Sequence, residues 1–194
     1  MTSTATGLVV VIAGPSGVGK GTVHRSVRAR LPDSALSVSV TTRPPRPDEE
    51  DGVDYRFVDR PTFEAMVDRG DLLEWAEYTG NLYGTPRQPV LDLVARGRVV
   101  VLDIEVQGAL QVKRRLPDAL LVFLVPPSFE ELERRLRGRG TEDDEAVAHR
   151  LRTARQEVAQ QEAFDVVVVN DDLDRCVEEV LALIEEARRA AARS

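Results

Sequence analysis

The sequence predicts an α/β protein, a parallel five-stranded sheet flanked by helices. Three observations predict it. Apolar, largely β-branched runs at 8–13, 99–103, 119–125 and 165–170 suit strands buried on both faces. Stretches of helical periodicity alternate with them. The first run passes directly into a glycine-rich loop and then a helix. The alternating Leu36-Ser-Val-Ser-Val40 supplies a fifth strand. One domain spans 1–194, with a core of 1–40, 98–134 and 150–194. An insertion at 41–97 carries its own small strands, and a helical lid covers 135–149.

The first strand leads into Gly14, Pro15, Ser16, Gly17, Val18, Gly19 and Lys20. This is G-x-x-x-x-G-K, the phosphate-cradling pattern. Glycines let successive backbone N–H groups converge on one anion. The helix from Lys20 to Arg30 adds the positive end of its dipole. Lys20 adds a point charge. Of 26 basic residues only Lys20 and Lys113 are lysines, so a chain that otherwise uses arginine has lysine where this loop needs it. Gly21 stands where the pattern usually carries a magnesium-contacting hydroxyl, and Thr22 follows one place later. Metal contact through waters is the expectation.

Beyond the first helix, Arg43 and Arg46 lie three residues apart in Thr41-Thr-Arg-Pro-Pro-Arg-Pro47. Three prolines forbid a helix and stiffen the segment. Two guanidinium groups so spaced can grip one phosphate, although composition alone favours a solvated charged loop. A short strand at 52–58 carries Tyr55. A helix runs from Pro61 to Arg69. Glu74 sits among apolar residues in Leu72–Tyr78, where a carboxylate is costly unless paired. A ligand with two adjacent N–H donors would pair it. Residues 79–85 are turn-rich, and a helix covers Pro86 to Ala95.

The strand at 99–103 ends in Asp103, with Glu105 beside it. A strand-end acid next to a phosphate loop is where a metal-side carboxylate is delivered, and it is also a common helix cap. Ser128 and Glu131 have capping-box spacing. The arginines of 134–139, flanked by glycines, suit a hinged lid. Thr141 with Asp144 starts the next helix, which carries Arg150. The last buried strand ends at Asn170, and an amphipathic helix over 173–192 closes the chain.

The net charge of −7 excludes general nucleic-acid binding. No apolar run approaches the ~20 residues of a membrane span. The single Cys176 reads as a helix core residue in a reducing, cytoplasmic setting.

With these residues in hand, the chain resembles the guanylate kinase family from Leu8 to about Ile184. The resemblance rests on Gly14–Lys20, Ser37–Arg46, Asp54-Tyr55, Glu74–Glu77, Gly80–Gly84, Leu102–Gly108, Arg135–Gly140 and Val168–Asp172. It implies a P-loop nucleoside monophosphate kinase whose insertion is a GMP-binding subdomain and whose substrates are ATP with magnesium and GMP, dGMP being a further acceptor left open. Arg43, Arg46, Tyr55 and Tyr83 would hold the GMP phosphate. Glu74, with Ser39 and Thr85 nearby, would read guanine, and Asp103 and Glu105 would complete the acceptor site. Residues 14–22, Arg135, Arg139 and Asn170 would meet ATP. Lys20, Arg43, Arg135, Arg139 and Arg150 would act on the moving phosphoryl group. Thr22 and Asp103 would hold magnesium through waters. Glu105 stands where the family more often has Asp. Two other readings stay open: a catalytically inactive interaction domain of the same fold, and a related kinase for another phosphorylated small molecule. The resemblance does not choose between a monomer and a homo-oligomer.

Overall fold

The computed structural model describes residues 7–138 and 144–193. Its main sheet is formed by β1 (Leu8–Ala13), β2 (Ser34–Ala35), β7 (Val99–Asp103), β8 (Leu120–Val125) and β9 (Val166–Val169), in the order β2-β7-β1-β8-β9. Every pairing in it is parallel. All six residues of β1 are buried, and their alternation feeds two cores. Val10 and Ile12 pack with Val23 and Val27 of α1 (Lys20–Arg30) and with Val177, Val180 and Ile184 of α7 (Leu173–Ala191). Val9 and Val11 pack with Val90 of α3 (Arg87–Ala95) and with Ala109 and Val112 of α4 (Val106–Arg115). The continuous apolar pattern of β1 is thus the signature of a strand covered on both sides.

The fifth main-sheet strand expected at 36–40 is displaced: β2 lies just before it, and of 36–40 only Ser39 and Val40 form strand, in a second sheet. Ser34–Ala35 pairs with Val99–Val100, the chain then leaves the sheet, and Ser39–Thr41 forms β3 of a second sheet. The reason lies in the pattern: Leu36-Ser-Val-Ser-Val alternates, which suits a half-covered strand and not one buried on both faces. The second sheet comprises β3, β4 (Tyr55–Phe57), β5 (Leu72–Tyr78) and β6 (Asn81–Pro86), in the order β4-β3-β6-β5. The turn-rich stretch expected at 79–85 is mostly strand β6. Only Thr79 and Gly80 turn, with φ of 47° and 79°, the doubly positive backbone of a tight hairpin.

Helix α2 (Arg60–Asp68) covers this sheet with Phe63 and Met66, and Asp59 caps it by accepting from the Thr62 N–H. Strand β5 ties the two units together. Leu72 packs into the small core with Val40, Phe63 and Leu82, and Leu73 into the main core with Val90 and Val100. Helices α5 (Phe129–Arg137) and α6 (Asp144–Val158) pack through Leu132, Leu136, Val147 and Ala154. Half of the expected capping box forms: Ser128 Oγ accepts from the Glu131 N–H, but the Glu131 carboxylate turns to Arg134 and Arg135. The expected helix start at Thr141 lies outside the described residues.

Candidate active site

The loop after β1 is built largely from backbone. Val18 N–H donates to Pro15 O at 3.1 Å, and the Thr22 and Val23 amides donate to Gly19 O at 3.0 and 3.1 Å. Gly19 begins α1 at φ 102° with no side-chain cap, so the first amides of α1 face outward, ready for an anion. A Cβ at Gly19 would stand 2.7 Å from Asn170 Nδ2. Asn170, at the end of β9, is buried and donates to Val18 O at 2.7 Å. Arg135 Nη1 donates to the same oxygen at 3.3 Å while Glu131 holds its Nε at 2.8 Å. Lys20 Nζ folds back onto Gly14 O at 2.7 Å. The lysine, Asn170 and Arg135 therefore all meet the loop.

Beside the loop a cleft of about 490 Å³ is lined by Pro15, Ser16, Gly17, Gly19, Lys20, Gly21, Thr22, Arg25, Asp103 and Glu105. Asp103 opens into it from the end of β7. Loss of hydration pushes its carboxyl above the usual range, Glu105 adds to this, and Lys20, His24 and Arg25 oppose it. A Cβ on Gly21 would lie 3.7 Å from both Asp103 Oδ2 and Arg25 Nη1. The missing hydroxyl thus leaves the Asp103 carboxylate next to the first turn of α1. Thr22 Oγ1 accepts from Arg25 Nη2 at 3.5 Å, a weak contact that leaves the exposed hydroxyl accessible. Asp103, Glu105 and Thr22 offer only hard oxygens, which suits a magnesium ion that keeps its waters.

Two residues here escape sequence reasoning. Arg25 is one of many arginines on a helix. Glu157 of α6 looks like any surface glutamate, yet its Oε2 is buried without a partner. Burial first, and Glu105 next, push its carboxyl up; Lys20 and the Ser16 amide oppose them. Only the fold brings α6 to the loop.

The second sheet carries the other predicted residues. Glu74 of β5 is 6% exposed, and its Oε1 accepts from Thr85 Oγ1 of β6 at 2.6 Å. Burial pushes the Glu74 carboxyl up; Thr85 and then Arg115 pull it down. Arg43 lies 5.6 Å from the Tyr55 ring centre and 5.8 Å from that of Phe57, a cation–π cradle. Tyr55 meets Tyr83 edge-on at 6.2 Å, and Ser39 pairs with Tyr55 in register. Glu49 joins the arginines: its Oε1 accepts from Arg43 Nη2 at 2.7 Å and its Oε2 from the Arg46 N–H at 2.8 Å. Glu49 holds Arg43 above the usual guanidinium range. Inside an acidic run, Glu49 gave no signal that set it apart from Asp48 and Glu50. The Arg46 side chain is otherwise open to solvent.

Arg150 sits half-buried on α6, and Arg139 lies outside the described residues. Cys176 is buried in the main core with its thiol pushed up to about 11, which leaves it a packing residue at neutral pH.

A phosphate loop at the carboxyl ends of parallel strands, with an acidic strand end beside it and a second sheet whose β3–β4 loop carries two arginines, defines a P-loop phosphotransferase. The family model described as guanylate kinase matches residues 6–187. The guanylate kinase of Thermobifida fusca (strain YX) is 56% identical over 176 residues, 91% of this chain and 90% of that one. A guanylate kinase of Thermus thermophilus is 54% identical over 189 residues, 96% of this chain and 84% of that one. The crystal structure of guanylate kinase from Anaplasma phagocytophilum superposes with a TM-score of 0.71 at 33% identity, covering 98% of this chain and 88% of that one. The chain belongs to the guanylate kinase family.

Proposed function

We propose that the chain transfers the terminal phosphoryl group of ATP to GMP, giving ADP and GDP, with the donor held by the first sheet and the acceptor by the second. The observation that carries the acceptor assignment is Glu74, buried and anchored on one oxygen by Thr85. Guanine presents N1–H and a 2-amino group side by side, and a carboxylate can accept both. Adenine would leave the buried carboxylate unmatched, at ~1–3 kcal/mol or more. Arg43, Arg46, Tyr55 and Tyr83 hold the GMP phosphate, and Ser39 and Thr85 flank the base.

The acceptor phosphate is largely dianionic at neutral pH, its second pKa being about 6, so no general base is needed. The protein's task is to align two anions and neutralise the charge that moves between them. The loop amides not used inside the loop cradle the donor phosphates, those of Val18 and Thr22 being given to Pro15 O and Gly19 O. Lys20 exchanges its contact with Gly14 O for a phosphate oxygen. Arg135, Arg139 and Arg150 gather charge from the lid side and exclude water, which would otherwise receive the phosphoryl group. Asn170 and Arg135 brace the loop at Val18. Thr22 and Asp103, with Glu105 nearby, would hold magnesium through waters, and the ion would supply neutralisation of the donor's phosphate charge. Asp103 and Glu105 also border the acceptor's path.

An inactive interaction domain of this fold is disfavoured by the intact loop and its lysine. Among the described residues no helix is long and apolar enough to cross a membrane. The single, core-packed Cys176 suits a reducing compartment, and we assign the enzyme to the cytoplasm. Coupled ADP release with ATP and magnesium, offering GMP, AMP, UMP and CMP in parallel, tests the reading. Turnover with GMP alone is expected; turnover with another nucleotide in its place, or with none, would overturn it.

A further inference from the structure

Helix α4 leaves the main sheet just after Asp103 and Glu105 and packs along β5, the outer strand of the second sheet. An outer strand exposes unpaired backbone groups. Here α4 pairs them with side chains. Gln111 Oε1 accepts from the Trp75 N–H at 3.2 Å, and Gln111 Nε2 donates to Trp75 O at 2.9 Å. The glutamine amide thus bonds β5 as a neighbouring strand would. Arg115 Nη1 donates to Leu73 O at 2.7 Å. These contacts grip the backbone on both sides of Glu74.

The third member of the same helix face is Gly108. Residues 108, 111 and 115 are spaced i, i+3 and i+7, so they line one stripe of α4. A Cβ built on Gly108 would lie 2.8 Å from Glu74 Oε2, closer than side chains tolerate, and 3.5 Å from Glu74 Cδ. Oε1 is tied to Thr85, so Oε2 is the oxygen left to move. The atom that would have to give way is the end of a side chain, so the cost of an added methyl falls on the carboxylate's position and not on the fold.

We propose that Gly108 and Gln111 are positioning residues for acceptor-base selection: Gln111 fixes the β5 backbone at Glu74, and Gly108 leaves the space in which Glu74 Oε2 points at the base. The proposal rests on Glu74 as the reader of guanine. It also gives a role to a helical glycine that would otherwise weaken its helix.

The test compares kcat/KM for GMP and for IMP, which has N1–H but lacks the 2-amino group, in wild type, Glu74→Ala, Gly108→Ala and Gln111→Ala. KM for ATP and the melting temperature are recorded for each. The expected result is that Gly108→Ala and Gln111→Ala reduce the GMP-over-IMP preference about tenfold or more, towards that of Glu74→Ala, with KM for ATP unchanged. A purely structural role would lower stability or total activity and leave the GMP:IMP ratio intact. If Glu74→Ala collapses the ratio while the two α4 variants keep it, the α4 proposal is overturned and the Glu74 reading stands. If Glu74→Ala itself leaves the ratio unchanged, the base reading fails and the proposal with it. Should Gly108→Ala not fold, Gln111→Ala decides by the same ratio.

Discussion

The two halves of the site are made in different ways. The half proposed for the donor is a contiguous loop set by glycine conformations and braced by Asn170, Arg135 and Lys20. The half proposed for the acceptor is assembled from side chains on β3, β4, β5 and β6 and on the loop between β3 and β4, with Glu49 between two arginines and Thr85 on Glu74. A backbone cradle suits a group that every donor nucleotide carries. A buried carboxylate with one fixed oxygen suits a choice between bases, because mismatch costs more than match gains. On the proposed assignment generality and selectivity sit on different sheets, and substitutions on each should fail differently.

The largest effect is expected at Lys20. Lys20→Ala should lower kcat by about 10³-fold or more, as loss of a preorganised transition-state cation does, with the fold intact by circular dichroism. Glu74→Ala should cost roughly 10²-fold in kcat/KM for GMP and little in KM for ATP, read by the same coupled assay. An equal loss for both substrates would erase the division between the sheets. Gly19→Ala forces a methyl onto φ 102° and to within 2.7 Å of Asn170 Nδ2. It should destabilise by ~1–3 kcal/mol in thermal melts and raise KM for ATP. Glu49→Ala should raise KM for GMP about tenfold through a loosened Arg43, with kcat nearly unchanged. A lower KM would mean that Glu49 competes with the acceptor phosphate and does not position its partners.

The smallest expected effect is on pH dependence. Burial holds Glu74's carboxyl above the ordinary glutamate range. In that window the folded state keeps a proton the unfolded chain has released, so stability falls as pH rises from the ordinary value through the folded one. Ligand binding is expected to have the opposite sign: with Glu74 as the proposed reader of guanine, GMP affinity should fall as pH drops through the folded value. Glu74→Gln should flatten the stability slope, measured by denaturant titration across acidic to neutral pH.

The phosphate loop is legible in the sequence almost residue by residue, because residues 14–22 form one short run whose glycine spacing sets its backbone conformation. The sheet is equally legible in β1, β7 and β8, where both-face burial demands continuous apolar runs. Legibility fails where a residue acts through a distant partner. Glu157 reaches the loop only because α6 folds over it, and Gly108 matters only because Glu74 lies opposite. The 34–41 region divides between two sheets at a point that alternation alone does not mark. Strand β6 hides behind the turn residues Gly80 and Asn81, since a tight hairpin spends only Thr79 and Gly80 on turning.

The most direct test of this division is calorimetric titration of GMP and of ATP, each alone, into wild type, Lys20→Ala and Glu74→Ala. A crossed pattern is expected: Lys20→Ala weakens ATP and keeps GMP, and Glu74→Ala weakens GMP and keeps ATP. A folded variant that loses both ligands together would contradict it.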